Sequence, residues 1–379
     1  MCLTALAAAL FLPSAAGAAS PFALGVQDDN VLEGRSAQMS AATGLGVMDT
    51  IHATTVRLNV AWTSVLTSSA SATSAPASPQ YDFSAIDAGL DAIDAAGYSA
   101  YVTITGPAPA WATATKKAGV TKVNPAAFGR FAAAVAEHFA GHVAAISVWN
   151  EPNWPTTLAP VKVCKKVKRK KVCTDTRPTL YRNLYAAAYK AIKQTDPSIP
   201  VWIGELAPQG RSTTKGAALA PLSFLRTALC VDTKVKKKSC AGLKADGLAL
   251  HPYLLGAPPT RKPAGANDMS MAVLSRASDL LTKLEKVKAL RLSSGKAGIP
   301  LQLTEFGYLT TGGSRSVTVG QQATYVPQAI KLAKKAKRVR SLYLYQLIDS
   351  DNPDVTWNSG LYYADGKAKP VVAKLAALR

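Results

Sequence analysis

Two glutamates carry the first chemical signal in this sequence. One stands in Val148-Trp149-Asn150-Glu151-Pro152-Asn153-Trp154 and the other in Leu303-Thr304-Glu305-Phe306-Gly307-Tyr308, each closing a short run that reads as a strand. A carboxylic acid that protonates a departing oxygen, set opposite a carboxylate that meets an electron-poor carbon, is what cleavage of a glycosidic bond requires. A single glutamate before a proline is usually a loop carboxylate; two of them across a barrel mouth could do both tasks. Glu205, in Ile203-Gly204-Glu205-Leu206, is a third carboxylate of similar placement. With neither motif around it, it reads as a salt-bridge or substrate-side hydrogen-bonding group. Asp349 and Asp351 read as loop-capping acids, and no carboxylate cluster has the spacing of a calcium loop. No metal and no organic cofactor is implied.

The elements that must position these groups alternate short β-branched runs with Ala-rich amphipathic stretches, the pattern of parallel strands joined by helices. Eight strands are expected, at Ala23–Val26, Thr55–Val60, Ala100–Thr105, Ala145–Trp149, Val201–Gly204, Asp246–Ala249, Leu301–Thr304 and Ser341–Tyr345. Helices are expected at Ser84–Ala96, Ala126–His138, Leu180–Thr195, Met271–Lys288 and Gln321–Lys337, where apolar residues recur at three and four positions. Eight repeats without a dividing linker predict an α/β fold, a single-domain (β/α)8 barrel over residues 19–379. Ser64–Pro79, rich in Ser, Ala and Pro, is expected to be a loop. In such barrels chemistry sits where strands end, which is the filter that selects Glu151 and Glu305.

Trp149-Asn150-Glu151-Pro152-Asn153, followed by a Glu in Thr304-Glu305-Phe306-Gly307, resembles the clan A glycoside hydrolases, especially families 5 and 39, over nearly the whole chain. The resemblance implies that Glu151 is the general acid/base, that Glu305 is the nucleophile, and that anomeric configuration is retained. It implies that Arg57 is the barrel arginine supporting the nucleophile and that Asn150 binds the sugar 2-hydroxyl. It also matches His251 and Tyr253 to a His-x-Tyr pair whose tyrosine contacts the nucleophile, and Trp357 to an aromatic floor. Read from the residues alone, His251 is equally a satisfied histidine at a barrel mouth. Glu151 would be kept protonated by its neighbour's charge. Trp62, Trp111 and Trp154 fall in post-strand loops, where they either stack on sugar rings or pack the rim.

The substrate implied is a β-linked glycan. Family 5 suggests an endo-acting cleft for glucan or mannan, family 39 an exo-acting pocket for xyloside, and the sequence leaves both open. Two readings from other classes stand beside them: a carbohydrate-binding barrel that has lost turnover, and a basic surface adhesin.

Residues 1–18 are apolar and end in Ala16-Gly17-Ala18, the small-x-small form of an export signal, although the segment has neither Lys nor Arg. A secreted protein is expected. Four of the five cysteines form two close pairs, Cys164 with Cys173 and Cys230 with Cys240. Zinc is the competing reading, but no His lies between the pairs and the spacing is not C-x-x-C, so local disulfides closing basic loops at 164–173 and 230–240 are expected. The net charge of +21 is concentrated in segments 162–171, 230–240 and 331–340. That clustering argues against a nucleic-acid groove and points to solvated faces, with attraction to an anionic cell-surface polymer as the lesser alternative. No stretch has the roughly 20 uninterrupted apolar residues of a membrane span.

Overall fold

The computed structural model of the protein describes residues 22–167, 170–210, 218–238, 240–311 and 313–378. The expected export segment lies outside the described residues. Among them, eight parallel strands close into a barrel: β1 (Ala23–Gln27), β2 (Thr55–Ala61), β3 (Ser99–Thr105), β4 (Ile146–Val148), β5 (Val201–Leu206), β6 (Gly247–Leu250), β7 (Leu301–Phe306) and β8 (Val339–Tyr345). Each pairs with its neighbours in chain order, and β1 closes on β8 from Ala23↔Ser341 to Gln27↔Tyr345. The outer layer is α1 (Ala41–Thr50), α2 (Ser84–Ala95), α3 (Pro125–His138), α4 (Arg177–Thr195), α5 (Pro221–Ala228), α6 (Leu274–Lys286), α7 (Val319–Lys335) and α8 (Pro370–Ala376). The (β/α)8 barrel expected from the alternating pattern is the fold observed.

Local chemistry sets the helix limits. Asn124 caps α3 by accepting from the Ala127 amide, with Pro125 in the first turn where its missing N–H costs nothing. Thr318 and Gln321 exchange hydrogen bonds as a capping box and start α7 two residues before the expected point. The helix expected over Met271–Lys288 opens as a separate 3-10 turn, Met271–Val273, before α6 buries Leu274, Ala277, Leu280, Leu281 and Leu284.

The barrel interior is filled in layers, as such barrels require. Tyr101, Trp202 and Tyr343 form the lower one, with ring centroids 4.5 Å apart for Tyr101–Trp202 and 5.0 Å for Tyr101–Tyr343. Glycine makes room for them: a Cβ on Gly25 would sit 2.3 Å from the Tyr343 ring, and one on Gly247 2.8 Å from the Trp202 ring. Two residues further along the strands, Gln27, Thr103 and Ser147 follow Gly25, Tyr101 and Ala145. With Arg57 they form a buried polar layer above the aromatic one. Arg57 lies within β2, which continues to Ala61.

Both cysteine pairs are disulfides. The first clamps an antiparallel ribbon, Lys162–Val167 paired with Lys170–Asp175, between β4 and α4; no strand was expected there. The second closes the connection between α5 and β6. Ser64–Pro79 is loop, as its composition dictates. Among the described residues no helix is long and apolar enough to cross a membrane.

Candidate active site

Three strand ends break the regular alternation of side chains, and each break turns a carboxylate inward. On β5, Trp202 faces the interior, so strict period-two geometry would send Glu205 outward. Instead Gly204 (φ 123°) and Glu205 (φ 49°) are left-handed and the pairing with β6 shifts register between Ile203 and Leu206. Glu205 therefore turns into the barrel. On β7 a register shift between Leu303 and Phe306 lets the adjacent residues Thr304 and Glu305 both reach interior partners. After β4, Trp149 (φ 69°) and Glu151 (φ 45°) are left-handed. The Trp149 ring is thereby sent out against Phe128, at 5.3 Å and edge-on, while Glu151 turns toward the cavity. Left-handed backbone is costly for residues other than glycine and concentrates at functional sites.

A buried network ties these groups together. Arg57 donates to Glu305 Oε1 at 2.5 Å, to Gln27 Oε1 at 2.8 Å, to Asn150 Oδ1 at 2.9 Å and to Thr103 Oγ1 at 3.0 Å. Tyr253 Oη donates to Glu305 Oε2 at 3.3 Å. His251 bridges two carboxylates, with Nδ1 2.9 Å from Glu151 Oε1 and Nε2 2.9 Å from Glu205 Oε2. Glu205 also accepts from Thr304 Oγ1 at 2.5 Å and Thr103 Oγ1 at 3.3 Å, and lies 3.7 Å from Arg57. One oxygen each of Glu151 and Glu305, together with a His251 nitrogen, lie within 4.8 Å of one another. A metal would have to displace the hydrogen bonds that already occupy these atoms.

The electrostatics divide the carboxylates. Burial pushes the Glu151 carboxyl up; the His251 hydrogen bond and charge pull it back, and Glu305 pushes it up again. The neighbour's charge, expected to be the cause, is thus a lesser one than burial. For Glu205 burial also raises the pKa, but Arg57 and the His251 hydrogen bond outweigh it and hold the group at about 2. Burial would lower His251, yet Glu305 and the hydrogen bonds to Glu151 and Glu205 raise it to about 9. At neutral pH the imidazole is then a cation donating from both nitrogens, and a protonated Glu151 keeps its second oxygen for a proton facing the cavity. Burial, and then the Glu305 charge, raise Tyr253 well above its ordinary value, so its hydroxyl stays a donor.

These side chains open into a cavity of about 710 Å³ to which every strand end except that of β3 contributes, within the usual size of a small-molecule site. Of the residues expected from sequence, Glu151, Glu305, Asn150, Tyr253, Trp154 and Trp357 line it. Arg57 and His251 lie fully buried beneath it. The Trp357 ring stands edge-on to Tyr253 at 5.3 Å. Trp62 and Trp111, expected from sequence to stack on sugar or pack the rim, do not line the cavity. Trp62 is fully buried, stacked on Phe131 at 5.1 Å with Trp111 edge-on at 5.6 Å. The apolar faces of α3 draw these rings into the core. Gln27, Asp29, Asn59 and Tyr345 also line the cavity and were not singled out from sequence. Gln27, Asn59 and Tyr345 stand toward the ends of their strands, where an uncharged side chain gives no chemical signal of its own in the sequence. Asp349 is a buried partner of Lys369 at 2.6 Å and accepts from the Gly360 amide, holding the segment that carries Trp357.

Fold and site together define a (β/α)8 barrel with a carboxylate pair at its mouth. A family 39 glycoside hydrolase from the gut symbiont Bacteroides cellulosilyticus is similar over 94% of this chain, with a TM-score of 0.64 and 19% identity. This chain spans 63% of that protein's length. A glucosidase from Croceicoccus marinus matches over 94% of this chain and 67% of its own (TM-score 0.60, 14% identity). A GH5_18 protein from Streptomyces cattleya in complex with GlcNAc matches over 95% and 80% (TM-score 0.60, 14% identity). At these identities the likeness is one of fold. No protein-family model and no curated protein matches the sequence.

Proposed function

We propose that the protein is a retaining O-glycoside hydrolase acting on β-linked glycans. The observation that carries this reading is the pairing of Glu151 with Glu305 across one cavity, with an oxygen of each within 4.8 Å. Retaining enzymes hold their carboxyl groups about 5–5.5 Å apart, whereas inverting ones need about 6.5–9.5 Å to admit a water. The names of the similar structures, all concerned with glycosides, support the same class.

In the first step Glu305, its negative charge held in place by Arg57 and Tyr253, attacks the anomeric carbon. The bond to the leaving oxygen breaks, and that oxygen takes the Glu151 proton. His251 steadies the carboxylate left on Glu151. In the second step a water loses its proton to Glu151 and its oxygen displaces Glu305 from the anomeric carbon. Asn150, fixed through its Oδ1 by Arg57, turns its amide nitrogen toward the sugar. Trp154 and Trp357 offer apolar faces to the ring.

An endo-acting glucanase- or mannanase-like cleft is favoured over an exo-acting pocket, because the cavity runs beyond the carboxylate pair to Pro208 and Gln209 and, after β6 and β7, to Leu255 and Arg315. The disulfides are compatible with a secreted enzyme. The test is to incubate purified protein with aryl β-glycosides and soluble β-glucan and β-mannan, following the first-formed anomer by NMR. A β-anomer, lost in Glu305→Ala, is expected. An α-anomer, or hydrolysis undiminished in that variant, would overturn the assignment. Products of intermediate length separate endo from exo action.

A further inference from the structure

We infer that the substrate is an anionic polysaccharide, bearing carboxylate or sulfate groups, held by a basic surface built beside the cleft. This deepens the glycoside-hydrolase reading and rests on it.

The surface consists of two connections at the carboxyl ends of neighbouring strands. The β4 connection carries the ribbon, on which Lys162, Lys166, Lys170 and Lys171 are exposed. The β3 connection carries exposed Lys116, Lys117 and Lys122. Backbone hydrogen bonds stitch the two together, from Lys122 N to Ala159 O at 2.8 Å and from Ala159 N to Val120 O at 3.0 Å. Among the described residues none of these seven lysines is in an ion pair. The acids of the two connections are otherwise engaged: Asp175 is bound by Arg177 at 2.5 Å and Glu151 faces the cleft.

The ribbon's register adds a second observation. Lys166 stands directly opposite Lys171, a cross-strand pair of like charge, and two positions away Cys164 is joined to Cys173. Like charges directly opposed weaken a two-stranded pairing. Here a covalent clamp holds the strands together in spite of them, and a polyanion would relieve the repulsion.

The cleft supplies a third. Arg315, after β7, is exposed, lines the cavity and has no acidic partner among the described residues. The ribbon begins eight residues after Trp154, in the connection that also carries Glu151, so a polymer lying along it would lie at the same end of the barrel as the cleft. The two basic connections contain no aromatic residue between Thr113 and Val123 or between Lys162 and Asp175. That disfavours single-stranded nucleic acid, whose bases are held by stacking. The other two basic segments, 230–240 and 331–340, precede β6 and β8 and so belong to the opposite end of the barrel.

The experiment measures binding of the full chain to the β-linked polymers carboxymethylcellulose, laminarin sulfate and neutral laminarin at low and high salt, beside duplex DNA and phosphatidylserine vesicles. Binding to one or both anionic glycans, well above laminarin and weakened by salt, is expected. Replacing Lys162, Lys166, Lys170 and Lys171 together by Gln should weaken it at least about tenfold at low salt. Arg315→Gln should raise KM on the anionic chain by a clearly larger factor than KM on neutral oligosaccharide. The quadruple variant should keep its melting temperature and its turnover of a neutral aryl β-glycoside, which reaches only the cleft. Unchanged affinity in that variant, equal binding of laminarin, or equal binding of DNA or vesicles would overturn the inference. Hydrolysis is read separately from binding: failure to cleave any glycoside would instead sink the enzymatic reading.

Discussion

The ends of β4 and β5 place two glutamates in nearly the same way. Glu151 lies just past β4 and Glu205 one residue before the end of β5; each is left-handed, and each faces one nitrogen of the same imidazole at 2.9 Å. Their surroundings are opposite. The Glu151 side chain is 22% exposed and His251 is its one side-chain partner among the described residues; the Glu205 side chain is fully buried and is met by Arg57, His251, Thr103 and Thr304. A carboxylate surrounded by donors stays ionised, whereas one with a single donor and a cavity in front of it can be protonated and release the proton to a ligand. Position at a strand end thus does not assign a role; the number of donors and the access to the cavity do.

The largest test of that contrast concerns the third carboxylate. Glu305→Ala should lower kcat on an aryl β-glycoside on the order of 10⁵-fold, with added azide restoring turnover as a glycosyl azide of inverted configuration. If Glu205→Ala behaves this way instead, the nucleophile has been misassigned. Glu151→Gln should cost about 10²–10⁴-fold, more for an alkyl than for a nitrophenyl leaving group, because only the former needs the proton. An equal loss on both would remove Glu151 from the acid role.

Glu205→Gln should act more mildly, about tenfold in kcat near neutrality, and through pH. After the Glu305 charge, the hydrogen bonds to Glu151 and Glu205 help hold His251 at about 9 rather than the ordinary 6.5, so weakening the Glu205 bond should move the alkaline limb of the rate profile to lower pH. A limb that stays in place would show that Glu205 only fills space. Stability follows the same groups. The raised His251 pKa stabilises fully below 6.5, and that contribution is lost as pH rises through about 9. The depressed Glu205 pKa stabilises above 4.5, and that contribution is lost as pH falls toward about 2. A melting-temperature profile should therefore peak between those ordinary values, and Glu205→Gln should flatten its acid side.

The smallest effect on catalysis separates the tryptophans. Trp357→Ala should raise KM about tenfold, the loss of one stacked ring. Trp62→Ala should leave KM alone and cost about 3–5 kcal/mol in denaturant unfolding.

The barrel itself was readable because each repeat announces itself locally: a β-branched run, then an apolar stripe at helical spacing. Glu151 and Glu305 were readable because motif and strand end coincide at both. Glu205 was harder. A period-two reading sends its side chain outward, and the left-handed turn at Gly204 that reverses it depends on contacts with β6. Trp62 and Trp111 misled for a related reason: a ring just past a strand can swing to the cleft or to the helices, and the deciding partners, Phe128 and Phe131, lie on α3. The ribbon at 162–175 was seen as charge and cysteine spacing, but its pairing rests on a register that composition does not encode.

The layer of Tyr101, Trp202 and Tyr343, with no Cβ to spare at Gly25 and Gly247, gives the barrel a sealed floor. A vessel closed below has a single doorway. Under the proposed function, substrate, product and the hydrolytic water would all pass through the strand-end face of the barrel, and the order in which they pass would be part of the cycle.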